Sequence, residues 1–241
     1  MNINYICESK CGLVRETNQD HADTLQTEDG FLAVVCDGVG GNNGGETASR
    51  IAVDSIIEAF KDTTGMHPLD RLSAGIRHAN YRITEAASLD VELKGMATTV
   101  VVLYLDKNGA YWAHAGDSRI YFFFNGELQQ LTKDHSLVQN MVDKGIITSQ
   151  TAEKHPFKNI ITRAVGEKDE IEIETCKMDL DSSDELKFLL CTDGVSGMIS
   201  KNDIIDILSM EDLSEMDVRI SNLVEANGAT DNYTFIIISN K

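Results

Sequence analysis

The chain has 241 residues, 42% of them hydrophobic, and Asp plus Glu outnumber Lys plus Arg by 39 to 21, for a net charge of −18. That length suits one substantial core, so a single domain across residues 1–241 is expected. An acidic surface repels phosphate backbones and anionic lipid, which argues against nucleic-acid and membrane partners. The five cysteines are scattered and contain no Cys-x-x-Cys pair, so neither a disulfide framework nor a structural zinc site is indicated. Met1 to Lys10 lacks an apolar signal core, and no apolar run approaches the roughly 18 residues that span a bilayer. A cytoplasmic location is expected.

Arg15 to Asp20 reads Arg-Glu-Thr-Asn-Gln-Asp, a polar segment ahead of the first strand signal. Arg15 has two readings there: a surface arginine, or a guanidinium that forks onto phosphate oxygens. Phe31 to Cys36 is an apolar run of strand length that ends at Asp37-Gly38. Ala48, Ile51, Ala52, Ser55, Ile56, Ala59 and Phe60 then recur at helical spacing, predicting a helix from near Gly45. A second helix follows Pro68, with Leu69, Leu72, Ile76, Ala79, Ile83 and Ala86 as its stripe.

Thr99 to Leu105 is a β-branched run closed by Asn108-Gly109, a pair suited to the positive φ angles of a tight hairpin, and Ala110 to Ala115 returns antiparallel. Ile120 to Phe124 and Leu128 to Leu131 flank a second such pair, Asn125-Gly126. Weaker helical patterns lie at Leu137 to Lys144 and Val218 to Ala226, and further strands at Leu186 to Cys191 and Tyr233 to Ile238. Hairpins call for antiparallel sheets, and continuous apolar runs call for cover on both faces. Strands and helices in this order predict α+β layers.

Several of these strands have a carboxylate at one end: Asp37-Gly38, Gly116-Asp117, Asp193-Gly194 and Asp231-Asn232. Each pair alone is a turn signal. Together, at neighbouring strand ends, four carboxylates repel one another unless cations are present, and oxygen donors suit Mg²⁺ or Mn²⁺ better than zinc. Glycine after Asp37 leaves room for a backbone carbonyl to reach the same ion. Nucleotide-binding readings fail on spacing. The third glycine of Gly38-Val39-Gly40-Gly41-Asn42-Asn43-Gly44 falls one place late for the dinucleotide fingerprint, and Gly194-Val195-Ser196-Gly197 falls short of a serine-hydrolase elbow.

From one end to the other the chain resembles the PP2C-like (PPM) metal-dependent serine/threonine protein phosphatases, in their bacterial form. The resemblance rests on an ordered series of motifs. They are Arg15-x-x-Asn18-x-Asp20, Asp37-Gly38-Val39-Gly40-Gly41, Gly45-Glu46, Ala97-Thr98-Thr99, Gly116-Asp117-Ser118-Arg119, Leu131-Thr132-x-Asp134-His135-Ser136, Asp193-Gly194 and Asp231-Asn232-x-Thr234. It implies a four-layer αββα sandwich, two antiparallel sheets flanked by helices. It further implies that Asp37 bridges two metals, that the Gly38 carbonyl completes one, and that Asp193 and Asp231 hold the other. By the same resemblance Asp20 would orient metal-bound water with Asn232 in support, Arg15 would hold the substrate phosphate, and Asp117 with Asp193 matches a third, weaker site.

The expected activity is hydrolysis of phosphoserine and phosphothreonine in proteins by a metal-activated bridging water, with Mn²⁺ or Mg²⁺ as cofactor. Its partners would be phosphorylated proteins, including a serine/threonine kinase and its substrates, and the default state is a monomer. Animal members often carry histidine where this chain has Val39, and valine donates no proton to the leaving group. Residues 134–166 match the family's variable flap, either a mobile substrate-facing element or ordinary connecting structure. Cys36 and Cys191 read as buried small hydrophobes, and His114 either tunes the site or is structural. The rival reading, a non-catalytic signalling module of the same fold, has no need of Asp37, Asp193 and Asp231 together with Arg15. A nuclease is disfavoured by the charge.

Overall fold

The computed structural model describes residues 3–40, 44–180 and 185–240. Gly41 of the Asp37 motif and part of the acidic stretch Asp179 to Glu185 lie outside these. Five strands, β1 (Asn4–Lys10), β7 (Arg119–Phe124), β8 (Glu127–Gln130), β10 (Lys187–Cys191) and β11 (Tyr233–Ser239), form one sheet in the order β1-β11-β10-β7-β8. The other has the order β2-β3-β5-β6-β9, from β2 (Asp20–Gln26), β3 (Gly30–Val39), β5 (Val100–Asp106), β6 (Gly109–Ala115) and β9 (Glu174–Asp179), while the two-residue β4 (Ala97–Thr98) pairs with the end of β3. All these pairings are antiparallel.

Side-chain alternation explains why the strands are apolar throughout. On β3, Phe31, Ala33 and Val35 enter the core between the sheets, while Leu32, Val34 and Cys36 face the helices on the other side. Phe188 and Leu190 of β10 and Ile236 and Ile238 of β11 complete the inter-sheet layer. Helices α1 (Gly44–Asp62) and α2 (Pro68–Leu89) cover the six-stranded sheet with Ala48, Ala52, Ile56, Leu72, Ile76 and Ile83, all fully buried. Helices α6 (Lys201–Leu208) and α7 (Leu213–Ala226) cover the five-stranded sheet. This is the αββα sandwich expected from the sequence. Burying a side chain of leucine or phenylalanine size contributes about 1.5–3 kcal/mol, so three such layers dominate the fold's stability.

Two local features differ from expectation. Asn125 and Gly126 do adopt positive φ, 50° and 79°, but neither Asn108 nor Gly109 does. The β5–β6 turn residues are instead Lys107 and Asn108, and Asp106 Oδ1 accepts the backbone N–H of Asn108 at 2.7 Å and of Gly109 at 3.0 Å. An aspartate that caps its own turn removes the need for a left-handed pair. Strands β1, β2 and β9, which the hydrophobic pattern does not announce, are all sheet edges. Between them and solvent little is buried, so polar sequences such as Glu-Thr-Cys-Lys-Met-Asp suffice.

No helix among the described residues is long and apolar enough to cross a membrane.

Candidate active site

The register of β2 on β3 makes Asp20 and Asp37 direct Cα partners. Beside them, β10 runs out through Thr192 into the short α5 (Asp193–Ser196), and Asp231 immediately precedes β11. Because β10 and β11 are antiparallel neighbours, Asp193 and Asp231 emerge at one end of their sheet. Asp117 sits on the connection by which the chain leaves β6 in one sheet for β7 in the other, after Gly116 at φ +114°.

Hydroxyl groups hold these acids in place. Asp37 N donates to Thr99 Oγ1 at 3.0 Å, Thr98 Oγ1 donates to Asp37 O at 2.8 Å, and the Thr99 hydroxyl bonds to Ser118 Oγ at 2.7 Å, beside Asp117. Thr192 Oγ1 donates to Asp20 Oδ2 at 2.9 Å, and Thr234 adds a second side-chain bond to Asp20. The amide of Asn232, itself buried, accepts Gln19 N–H at 2.9 Å and donates to the carbonyls of Cys11 at 2.8 Å and Thr17 at 2.9 Å. It thereby fastens the Arg15 loop to β11. Gly38 N donates to Gln19 O at 3.1 Å, and a Cβ on Gly38 would stand 2.1 Å from Gly45 O and 2.4 Å from Gln19 O. The space freed by this glycine is filled by protein backbone, at the start of α1 and the end of the Arg15 loop.

Crowding shows in the proton affinities. Burial, then the charges of Asp20, Asp193, Asp117 and Asp231, push Asp37 well above the carboxylate range. Burial also lifts Asp20 to about 7, against its threonine bonds and with Asp193 and Asp231 adding to the rise. Asp117 is raised to about 7 by burial and then by Asp193. Asp193 is raised by burial and then by Asp231, while a hydrogen bond shared with Asp37 opposes the rise. Five acids therefore sit within one another's field, with neither histidine nor cysteine in the set. Hard dications fit that donor set, and soft or nitrogen-preferring ions do not.

Arg15 is placed against this cluster, its Nη2 donating to Asp231 Oδ2 at 2.8 Å. Arg119 forks onto Asp134, with Nε–Oδ1 at 3.0 Å and Nη2–Oδ2 at 2.6 Å, and ties β7 to the start of the 134–166 segment. His135 binds that segment at both ends: its N–H donates to Gly116 O at 2.9 Å and its carbonyl accepts Thr162 N–H at 2.7 Å. The segment contains α3 (Leu137–Asp143) and α4 (Ser149–Glu153) and exposes Ile146, Phe157 and Ile160. The charge of its Lys158 reaches Asp193.

A second cluster, His114, His135 and Glu174, has ligand-type atoms within 4.8 Å of one another. Its rings stack at 4.6 Å and 8°, so lone pairs in parallel ring planes do not converge on one ion. His135 Nδ1 accepts Gly116 N–H at 3.2 Å and its Nε2 meets Glu174 Oε2 at 3.3 Å, so both nitrogens are already engaged. We read this cluster as structural. Cys36 and Cys191 are fully buried, and burial raises both thiols, that of Cys191 to about 12.

All the acids singled out in the sequence come together at one end of the sandwich, with Arg15 and Asn232. The clasps of Thr192 on Asp20 and of Thr99 on Ser118 were not assigned from sequence, although Thr99, Ser118 and Thr234 stand inside the motifs.

Two antiparallel sheets between helix layers, with a carboxylate cluster at the strand ends, define the metal-dependent protein phosphatase class. The profile of the Protein phosphatase 2C family matches residues 14–230, and the chain belongs to that family. Among its relatives, a serine/threonine phosphatase stp of Listeria welshimeri is 35% identical, over 94% of this chain and 92% of its own. The crystal structure of the Mycobacterium tuberculosis serine/threonine phosphatase PstP/Ppp superposes with a TM-score of 0.90 at 32% identity, covering 99% of this chain and 98% of that one. A PstP catalytic domain in complex with two manganese ions gives a TM-score of 0.87 at 31% identity, over 98% and 97% of the two chains.

Proposed function

We propose that this chain hydrolyses phosphoserine and phosphothreonine in proteins with two Mn²⁺ or Mg²⁺ ions. Asp37, the Gly38 carbonyl, Asp193 and Asp231 would hold them, and Asp117 with Asp193 would hold a third, weaker one. The observation that carries this reading is the set of five mutually repelling acids, a crowding that bound dications relieve. The family and the manganese-bound PstP structure support it. When bound, the two dications acidify water and neutralise charge on the phosphoryl group.

The chain's own residues do the rest. Arg15, half-exposed beside the cluster, presents a planar fork to two phosphate oxygens. Asp20, fixed by Thr192 and Thr234, orients the attacking water for in-line approach. Val39 is 41% exposed and supplies no proton, so the proton for the departing serine or threonine oxygen comes from a water at the site rather than from this side chain. Residues 134–166 form a flap over the substrate, with Lys158 as a cation whose charge reaches Asp193. We further propose that the chain is a single domain, a cytoplasmic monomer, acting opposite a serine/threonine kinase. A signalling module without catalysis would carry the cost of five crowded acids to no purpose.

The test is phosphate release from phosphothreonine and phosphotyrosine peptides by chelator-stripped protein with and without Mn²⁺, native and Asp193→Asn. Release from phosphothreonine that needs Mn²⁺ and is lost in the variant supports the proposal. Metal-independent release contradicts it.

A further inference from the structure

Arg15 and Asp231 lie 216 positions apart in sequence, yet the fold delivers one to the other. The loop ahead of Arg15 is pinned to the end of β11 by Leu13 N–H to Ala229 O at 2.9 Å and by the Asn232 amide. Gly12, at φ +78°, passes so close that a Cβ there would stand 2.3 Å from Asp231 O. The guanidinium then takes Asp231 Oδ2, while Asp231 Oδ1 accepts the N–H of Asn232 at 2.9 Å. Both oxygens of this carboxylate are therefore occupied by donors of the protein itself.

A cation contact to Oδ2 and the Arg15 bond draw on the same oxygen. The guanidinium that sits there is also the group assigned above to the substrate phosphate. Resting on those two assignments, we propose that Arg15 is a built-in counter-cation of the metal centre. It competes with a dication for Asp231 Oδ2, because two cations on one oxygen repel, so that metal loading favours release of the phosphate-binding guanidinium. The charge of Asp37 and Asp193 also acts on Arg15, which keeps the guanidinium over the cluster while the acids are bare.

Two consequences follow from linkage, because any coupling between two binding events is reciprocal. Arg15 weakens the first dication it competes with, and the dication strengthens phosphate binding beyond its own contact by freeing Arg15. Phosphate therefore binds more weakly before metal than after it, because its guanidinium is engaged on Asp231. The contact is partly solvent-exposed, with side chains 54% and 35% accessible, which places the coupling at the lower end of the usual range, about five- to tenfold.

Mn²⁺ titration calorimetry on chelator-stripped protein tests this without reference to activity. Arg15→Gln is expected to bind its tightest Mn²⁺ about five- to tenfold more strongly than the native chain. Lys158→Gln removes another cation whose field reaches the acids but which makes no bond to Asp231, and is expected to change the affinity less than about twofold. No gain in Arg15→Gln, or an equal gain in both variants, overturns the proposal, the second result because it reports charge alone. Nuclear magnetic resonance of the native protein gives an independent arm. The Arg15 Nε–H signal, assigned by its loss in Arg15→Gln, should shift with Mg²⁺, and should respond less to orthophosphate alone than to orthophosphate that follows Mg²⁺. A signal that responds to orthophosphate as strongly before Mg²⁺ as after it contradicts the coupling. Failure of the underlying reading looks different: Asp231→Asn would then bind Mn²⁺ as the native chain does.

Discussion

Asp20, which is buried, and Asp37, which is half-buried, face each other as direct Cα partners across the β2–β3 ladder, a cross-strand pair of acids that repel when both are ionised. Such a pair destabilises a sheet unless a cation lies between its members. Asp20→Asn removes one charge while leaving an acceptor for Thr192. We predict that the metal-free variant melts about 3 °C higher than the native protein, with a smaller rise on adding Mn²⁺, as read by scanning calorimetry. An unchanged metal-free melting point would contradict the repulsion argument.

Gly38 and Gly45 let the end of β3 and the start of α1 touch backbone to backbone. Gly38→Ala forces a methyl to within 2.1 Å of Gly45 O, a contact that only backbone movement relieves. The predicted cost is about 3 kcal/mol, at the upper end of overpacking effects, with loss of metal affinity because Asp37 shifts with it. Urea unfolding of the variant checks the first part and Mn²⁺ titration the second.

Asn232 satisfies three backbone groups of the loop that carries Arg15. In Asn232→Ala the Gln19 N–H and two carbonyls lose their partner in a half-buried place. A loss of about 2–3 kcal/mol is expected. Because the loop also positions Arg15, KM for a phosphopeptide should rise more than kcat falls, which steady-state kinetics would read directly.

The His114–His135 stack yields a pH prediction. Burial, then the neighbouring His114 and Arg163, lower His135 to about 4, against the pull of Glu174, and burial lowers His114 as well. In the unfolded chain each takes up a proton near pH 6.5, about where a free histidine titrates. The folded state thus binds fewer protons between those values, and its stability is full above about 6.5 and is lost as pH falls toward 4. His135→Gln lacks that titration, so its melting temperature should fall less steeply over the same window. Parallel curves would contradict the assignment.

Much of this was legible in the sequence because core strands and the site announce themselves by the same residues. β3, β10 and β11 are apolar on both faces and carry an acid at one end, since an interior strand has to be covered twice before it reaches the open end of the sandwich. The edges β1, β2 and β9 carried no such pattern, because a strand with one neighbour and one wet face does not need it. The Asp106 cap hid the true β5–β6 turn behind a misleading Asn-Gly pair. Arg15 was readable as a phosphate fork but not as the partner of Asp231, since contacts across 216 positions are fixed by topology rather than by local spacing.

The central claim is that the carboxylate cluster is a dication site whose occupation switches on phosphoester hydrolysis. The most direct test titrates Mn²⁺ into chelator-stripped protein while following bound metal and phosphate release from a phosphothreonine peptide in the same samples. The account predicts no release at zero metal, and release that rises as the second equivalent binds, with Asp37→Asn and Asp193→Asn losing both signals. Release that persists in chelator, or a protein that binds two equivalents and releases nothing, would contradict it.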